Sequence, residues 1–254
     1  PGEKKLEMDR RLIREQISRL KRDLEQVKQH RATQRKQRSA SSSPVVCIVG
    51  YTNAGKSTLL NHLTQADVLE EDKLFATLDP TTRALTLPNG QNIMLTDTVG
   101  FISKLPHHLI QAFRSTLEEA KYSDLILHVV DASNPEMDRQ MYAVYDTLRQ
   151  LDIADKPVIT VFNKIDKLEQ MPVLKDLRAD ATVTISAKQE RGLDVLLDTI
   201  GTQLRQQQVY VERVIAYKDT AKLTNIRKYG QLLSEEYKED GIHIKAYVRK
   251  QEDI

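Results

Sequence analysis

An α/β fold is predicted here: a doubly wound, mostly parallel sheet preceded by a long basic helix and followed by a small α/β module. Three features of the 254-residue sequence predict it. After residue 44, short apolar runs alternate with amphipathic stretches, the pattern of a parallel sheet covered by helices. A glycine-rich turn, Gly50 to Ser57, falls between the first such run and the first such stretch. The composition, 40% hydrophobic and 29% charged, is ordinary for a soluble chain and excludes collagenous and disordered classes. The apolar runs fall far short of the roughly 20 residues that a membrane span needs. With Cys47 as the one cysteine no internal disulfide can form, and with no secretion leader the expected location is cytoplasmic. Pro1 in place of Met points to a piece cut from a longer product.

The first element expected is a basic helical arm over residues 1–38. Ile13, Ile17, Leu20, Leu24 and Val27 recur at steps of four and three, a narrow helical stripe suited to a hairpin or short coiled coil. The arm carries 13 Lys+Arg against 6 Asp+Glu, a net +7, whereas residues 39–206 carry 16 against 22, a net −6. Such an asymmetry fits an anionic partner at the arm, nucleic acid above all, as well as a merely solvated helix face. Ser39 to Pro44 reads as a flexible linker into a domain over residues 39–206. Strands are expected at Val45–Val49, Arg83–Leu87, Asn92–Thr96, Leu125–Val130, Val158–Phe162 and Val183–Ile185. Helices are expected at Lys56–Gln65, His107–Tyr122, Glu136–Leu151, Pro172–Arg178 and Leu193–Gln206. Asn89-Gly90 predicts a hairpin, so that one strand pair should be antiparallel. From residue 207 the texture changes. An alternating run to Tyr217, a helical Asp219–Lys228 stopped by Gly230 and two runs around Asp240-Gly241 predict the separate C-terminal module over 207–254.

The strongest chemical signal is Gly50-Tyr51-Thr52-Asn53-Ala54-Gly55-Lys56-Ser57. Such a turn exposes successive backbone N–H groups to phosphate, and the helix N-terminus adds a favourable dipole. Lys56 would reach the β- and γ-phosphates and the Ser57 hydroxyl would bind Mg²⁺. Asn163-Lys164-Ile165-Asp166 follows a strand at the edge where doubly wound sheets bind ligands. The Asp166 carboxylate can accept the ring N–H and exocyclic amine of guanine, neither of which adenine offers. Asn163 would brace the loop and contact the purine, and the Lys164 stem would pack on the base. Ser186-Ala187-Lys188 then supplies a backbone N–H for guanine O6. Asp97-Thr98-Val99-Gly100 ends the third strand, where Asp97 can hold Mg²⁺ through water and the Gly100 N–H can sense a γ-phosphate. Between the phosphate loop and Asp97, the hydroxyl-rich stretch Phe75 to Arg83 sits where a switch loop belongs, with Thr77 favoured as Mg²⁺ ligand over Thr81 or Thr82. Phe101 occupies the position at which many GTPases carry a water-orienting glutamine, so intrinsic hydrolysis should be slow.

Together these elements resemble a translation-factor-class GTPase domain. Within that class, Gly-Tyr-Thr-Asn-Ala-Gly-Lys-Ser, Phe-Ala-Thr-Leu-Asp-Pro-Thr-Thr-Arg and Asp-Thr-Val-Gly-Phe-Ile resemble the HflX family, and Pro1-Gly2-Glu3-Lys4-Lys5-Leu6-Glu7 is similar to that family's signature between its linker helices. The resemblance implies a P-loop GTPase that binds the large ribosomal subunit and its RNA and splits stalled or idle ribosomes under stress, its N-terminal domain being absent here. No DNA partner is implied, and the chain is expected to be monomeric. The GTP or GDP contacts expected are Gly50, Asn53, Ala54, Gly55, Lys56, Ser57, Thr58, Phe75, Thr77, Asp97, Gly100, Asn163, Lys164, Asp166, Ser186, Ala187 and Lys188. Ser57, Thr77 and Asp97 are the metal set, and Lys56, Thr77 and Gly100 the catalytic set. An asparagine at position 53 helps to bind K⁺ in several GTPases that this domain resembles; the competing role for Asn53 is bracing of the loop. The alternative readings are a GTPase scaffold for ribosome assembly or another RNA client, and a non-hydrolysing nucleotide-dependent binding module.

Overall fold

The computed structural model describes residues 43–64, 81–98, 100, 120–153, 155–170 and 172–249, with 13, 16, 18, 19 and 22 in the arm. The chain divides into two compact units, Pro1–Ser42 and Ser43–Ile254. In the first, all five described residues are helical, and Arg22 Nε donates to the Ser18 carbonyl at 3.3 Å. The remainder of the predicted stripe lies outside the described residues.

The second unit contains two sheets. Six strands, β1 (Val45–Gly50), β2 (Thr81–Thr86), β3 (Asn92–Asp97), β4 (Leu125–Asp131), β5 (Val158–Asn163) and β6 (Ala181–Thr184), lie in the order β2-β3-β1-β4-β5-β6. β2 and β3 are antiparallel and every other pair is parallel. The central strands are apolar on both faces because helices cover both. Val46, Ile48, Leu127 and Val161 pack under α1 (Lys56–Thr64) and α3 (Leu193–Gln206), whereas Cys47, Val49 and Ile126 pack under α2 (Met137–Gln150). The fold is thus the doubly wound α/β class that the alternating pattern predicts. The expected hairpin is present, but its connection runs from Leu87 to Gln91. Gly90 takes φ +79°, and Asn89 Oδ1 accepts the Gln91 N–H at 3.0 Å.

One predicted helix is absent. Residues 172–178 form no helix, because Asp176 turns its carboxylate to Tyr145 Oη at 2.6 Å and Thr160 Oγ1 at 2.7 Å and accepts the Arg178 N–H at 3.0 Å. This local turn competes with the helix ladder, and while Leu174 packs against Val130 and Phe162, Val173 and Leu177 are 97% and 85% exposed. Of the predicted helix His107–Tyr122, residues 101–119 lie outside the described residues.

The C-terminal part forms an antiparallel sheet of order β7-β9-β8, from β7 (Gln208–Ile215), β8 (Gln231–Lys238) and β9 (Gly241–Arg249), with α4 (Thr220–Tyr229) between β7 and β8 in sequence. Leu223 and Ile226 of α4 pack on Ile242, Ile244 and Ala246, a small core of its own. Gly230 stops the helix, its N–H donating to the Ile226 carbonyl at 2.8 Å.

Candidate functional site

The parallel strands bring their carboxyl ends to one edge, and the motif residues are gathered there. The turn after β1 closes with the Ala54 N–H on the Tyr51 carbonyl at 3.2 Å and enters α1 with the Leu59 N–H on the Gly55 carbonyl at 3.0 Å. Asn53 is exposed and left-handed at φ +61°. Gly55, at φ +93°, admits no other residue: a Cβ there would lie 2.3 Å from Asn163 Nδ2. Lys56 is buried in the first turn of α1, and Nζ donates to the Tyr51 carbonyl at 2.9 Å. Burial lowers its pKa from 10.5 to about 8, against the opposing pull of the Asp97 charge. Ser57 and Thr58 follow it, both half-buried.

Asp97 closes β3 opposite Ile48 of β1 and is fully buried. Its Oδ2 accepts from Ser57 Oγ at 3.3 Å. A hydroxyl and a carboxylate, both hard oxygen donors, thus share one spot beside the Lys56 ammonium. Among the described residues no group of three or more His, Cys, Asp or Glu could hold a metal. That sparse oxygen set suits Mg²⁺, which keeps waters and substrate phosphate in its shell and needs few protein ligands. Gly100 is buried against the loop, where an added Cβ would stand 2.8 Å from Lys56 Nζ. Phe75, Thr77 and Phe101 lie outside the described residues. The alternative ligand Thr82 pairs its hydroxyl with Thr96 Oγ1 at 3.0 Å across the hairpin.

On the other side, Asn163 ends β5 and joins three segments. Its Nδ2 donates to the Ala54 carbonyl and its Oδ1 accepts the Ala187 N–H, each at 2.9 Å. Lys164, left-handed at φ +64°, reaches back so that Nζ donates to the Asn53 carbonyl at 2.6 Å. Asp166 sits in the short turn Ile165–Lys167 and accepts from Ser186 Oγ. Ser186 and Ala187 are buried and Lys188 is exposed. Fifteen of the seventeen expected nucleotide contacts are therefore described, on the strand ends, loops and first helical turn of this edge. The sequence reading missed Asp131, whose Oδ2 accepts from Lys164 Nζ at 2.8 Å. Burial alone would raise its pKa, but hydrogen bonds from Lys164 and Ser133 hold it below the usual carboxylate value. A signal was available: Asp131 follows an apolar strand whose carboxyl end falls between the two principal motifs.

Comparison with known proteins places this arrangement. Residues 45–164 match the family described as 50S ribosome-binding GTPase, and residues 1–38 match the GTP-binding GTPase Middle Region. A GTPase HflX of Lacrimispora saccharolytica is 65% identical over 248 residues, 98% of this chain, and a GTPase HflX of Caldanaerobacter subterraneus is 49% identical over the same share. The chain belongs to the HflX GTPase family. It spans 59% and 57% of the lengths of those two HflX relatives. Among solved structures, a GTP-binding protein from Sulfolobus solfataricus in complex with GDP is similar at 32% identity and a TM-score of 0.52, covering 64% of this chain and 53% of that one. Era in complex with MgGDPNP and nucleotides of 16S ribosomal RNA is similar at 30% identity and a TM-score of 0.52, covering 64% and 57%. The P-loop GTPase fold expected from the HflX motifs is the fold of this chain.

Proposed function

We propose that this chain binds guanine nucleotide with Mg²⁺ and hydrolyses GTP slowly on its own and faster on the ribosome, acting at the large subunit to split stalled or idle ribosomes. The observation that carries the nucleotide reading is the bridge made by Asn163, which ties the loop after β1 to the loops after β5 and β6. A phosphate reader and a purine reader are thereby locked at one spacing. In this reading the N–H groups from Asn53 to Ser57 cradle the phosphates, with Lys56 on the β- and γ-oxygens. The Asp166 carboxylate accepts two guanine N–H donors, the Lys164 stem covers the base, and the Gly100 N–H meets the γ-phosphate. Ser57, Asp97 through water, and Thr77 of the switch stretch would hold Mg²⁺, which would supply charge neutralisation at the phosphate oxygens. Lys56 adds positive charge where negative charge develops in phosphoryl transfer. K⁺ beside the exposed Asn53 amide would add to it.

The large subunit as partner rests on the matching family's description, and the +7 arm suits contact with ribosomal RNA. The test measures GTP turnover alone, with isolated large subunits and with isolated small subunits, in K⁺ and in Na⁺ at constant ionic strength, beside sucrose-gradient profiles of intact ribosomes. The expected result is slow basal turnover, stimulation of about tenfold or more by large subunits alone, greater in K⁺, and a GTP-dependent shift of intact ribosomes to subunits. Stimulation by small subunits only would favour a client like the 16S RNA bound by Era. No turnover under any condition would leave a binding module.

A further inference from the structure

Asp131 ends β4, the strand between β1 and β5, with Asn163 opposite it in the ladder. Its two carboxylate oxygens are divided between two tasks. Oδ1 accepts the Ser133 N–H at 3.0 Å and the Ser133 hydroxyl at 2.6 Å, which fixes the carboxylate on its own turn. Oδ2 faces the Lys164 ammonium at 2.8 Å, in an ion pair whose side chains are 15% and 17% exposed. The same ammonium donates to the Asn53 carbonyl at 2.6 Å. Lys164 therefore spans from the phosphate loop to the end of β4, its long stem held along the purine side of the site. An ammonium on a four-carbon stem is mobile unless two acceptors pin it, and here one acceptor is a loop carbonyl and the other is Asp131.

We infer that Asp131 is a positioning residue for guanine-nucleotide binding: by pinning the Lys164 ammonium against the Asn53 carbonyl, it fixes both the stem that covers the base and the left-handed corner of the phosphate loop. This rests on the nucleotide reading proposed above. The competing role is a turn former serving the end of β4 through Ser133 alone. The two roles differ in which atoms matter. A turn former needs Oδ1, whereas the positioning role acts through Oδ2 and Lys164. Base coverage is insensitive to the exocyclic amine of guanine, so loss of Asp131 weakens GDP and IDP by one common factor. Loss of the Asp166 charge instead weakens GDP more than IDP, because IDP lacks that amine.

The experiment follows equilibrium binding and dissociation of GDP and IDP, both with Mg²⁺, for the full chain and for Asp131→Ala, Asp131→Asn, Lys164→Met and the Asp131→Ala/Lys164→Met pair. Asp131→Ala is expected to bind both nucleotides about tenfold more weakly, mostly through faster dissociation, since a lost partner of a desolvated charge pair acts on the off-rate. Asp131→Asn keeps an oxygen for Ser133 but turns an amide N–H₂, a donor, toward the Lys164 ammonium, so it should lose nearly as much as Asp131→Ala. It also serves should the alanine variant fail to fold. The pair should bind no worse than Lys164→Met alone, within about twofold, as residues acting through one contact are non-additive. Independent losses that multiply in the pair, or an Asp131→Asn variant indistinguishable from the parent, would overturn the inference. A GDP loss that greatly exceeds the IDP loss would do the same. A parent chain that binds neither nucleotide would remove the nucleotide reading itself, and that is visible before any variant is compared.

Discussion

The two edges of the six-stranded sheet are built from the same strands and solve opposite problems. At the amino edge, Asp124 accepts the Val45 N–H on Oδ2 and donates its own N–H to the Val45 carbonyl, both at 2.8 Å. Asp180 makes the same reciprocal pair with Val158, again at 2.8 Å. The starts of β1 and β5 are thereby satisfied by the residues that lead into neighbouring strands. At the carboxyl edge the charges of Lys56 and Asp97 are buried, and Asn53 and Lys164 stand in the left-handed region. Such burial and strain cost free energy in the free protein. A cleft of about 920 Å³ opens at the amino edge, lined by Asp124, Asp180, Tyr145 and Arg178 among others. Its Asp124 and Asp180 carboxylates are already engaged by strand N–H groups, so its size is no guide to function. What separates the two edges is the buried charge of Lys56 and Asp97.

The largest break in this comparison should come from Lys56→Met. Removing the ammonium that would meet the phosphates is expected to weaken GDP and GTP about a hundredfold, as for truncation of one partner of a buried charge pair. The same change should stabilise the free protein. The folded pKa of Lys56 is lowered by burial from 10.5 to about 8, so the unfolded chain binds the proton more tightly and the buried charge is a penalty below pH 8. Between about pH 8 and 10.5 the folded lysine loses its proton first, the penalty fades and parent stability rises with pH. The shift is worth about 3 kcal/mol, and the isolation of Asp97 subtracts from it, leaving an expected gain of about 1–3 kcal/mol. Denaturant unfolding from pH 7 to 10.5, with and without GDP, checks both halves. A variant that is less stable than the parent at pH 7 would show that Lys56 is settled without ligand and that the two edges are alike.

A smaller and sharper break separates base reading from phosphate binding at the same edge. Asp166→Asn removes a charged acceptor for two guanine donors, which costs about 1.5–3 kcal/mol, so GTP affinity should fall about tenfold or more. Xanthosine nucleotide affinity should rise, because its exocyclic oxygen suits the new amide. Competition binding with the two nucleotides reads both. An unchanged GTP affinity would remove Asp166 from the purine side and leave Ser186, which donates to it, holding a loop with no reader.

How far these edges could be read from sequence follows from what patterning can register. Helix α3 falls where the apolar spacing puts it, Leu193–Gln206, and the strands β1, β4 and β5 each extend one residue past their predicted ends, to Gly50, Asp131 and Asn163. Those extra residues belong to the site, since a strand that ends in a functional turn keeps pairing up to the turn. Periodicity reports which face is buried, so it found the sheet and its covering helices. It proposed a helix at Pro172–Arg178 because it could not register that Asp176 is claimed by Tyr145 and Thr160 of other elements. Asp131 was missed for the same reason, as its partner Lys164 stands 33 residues away. The phosphate loop was legible because its backbone conformation demands glycine locally. Asp131 demands only a distant lysine.

The smallest effect should come from the amino edge, and it tests whether the division is real. Asp180→Ala removes the acceptor for the Val158 N–H and leaves the reciprocal bond from the residue 180 N–H in place. Asp180 is exposed and Val158 is buried, so water can replace the carboxylate in part. The expected cost is about 1 kcal/mol of unfolding free energy, the net worth of one such hydrogen bond. Nucleotide affinity should stay within about twofold of the parent, because β5 runs rigidly from Val158 to Asn163 and its inner bonds are untouched. Urea unfolding and GDP binding on one preparation decide the matter. A loss of affinity as large as that of Asp166→Asn, at unchanged stability, would mean that the start of β5 sets the position of its end, and the two edges would have to be treated as one coupled element.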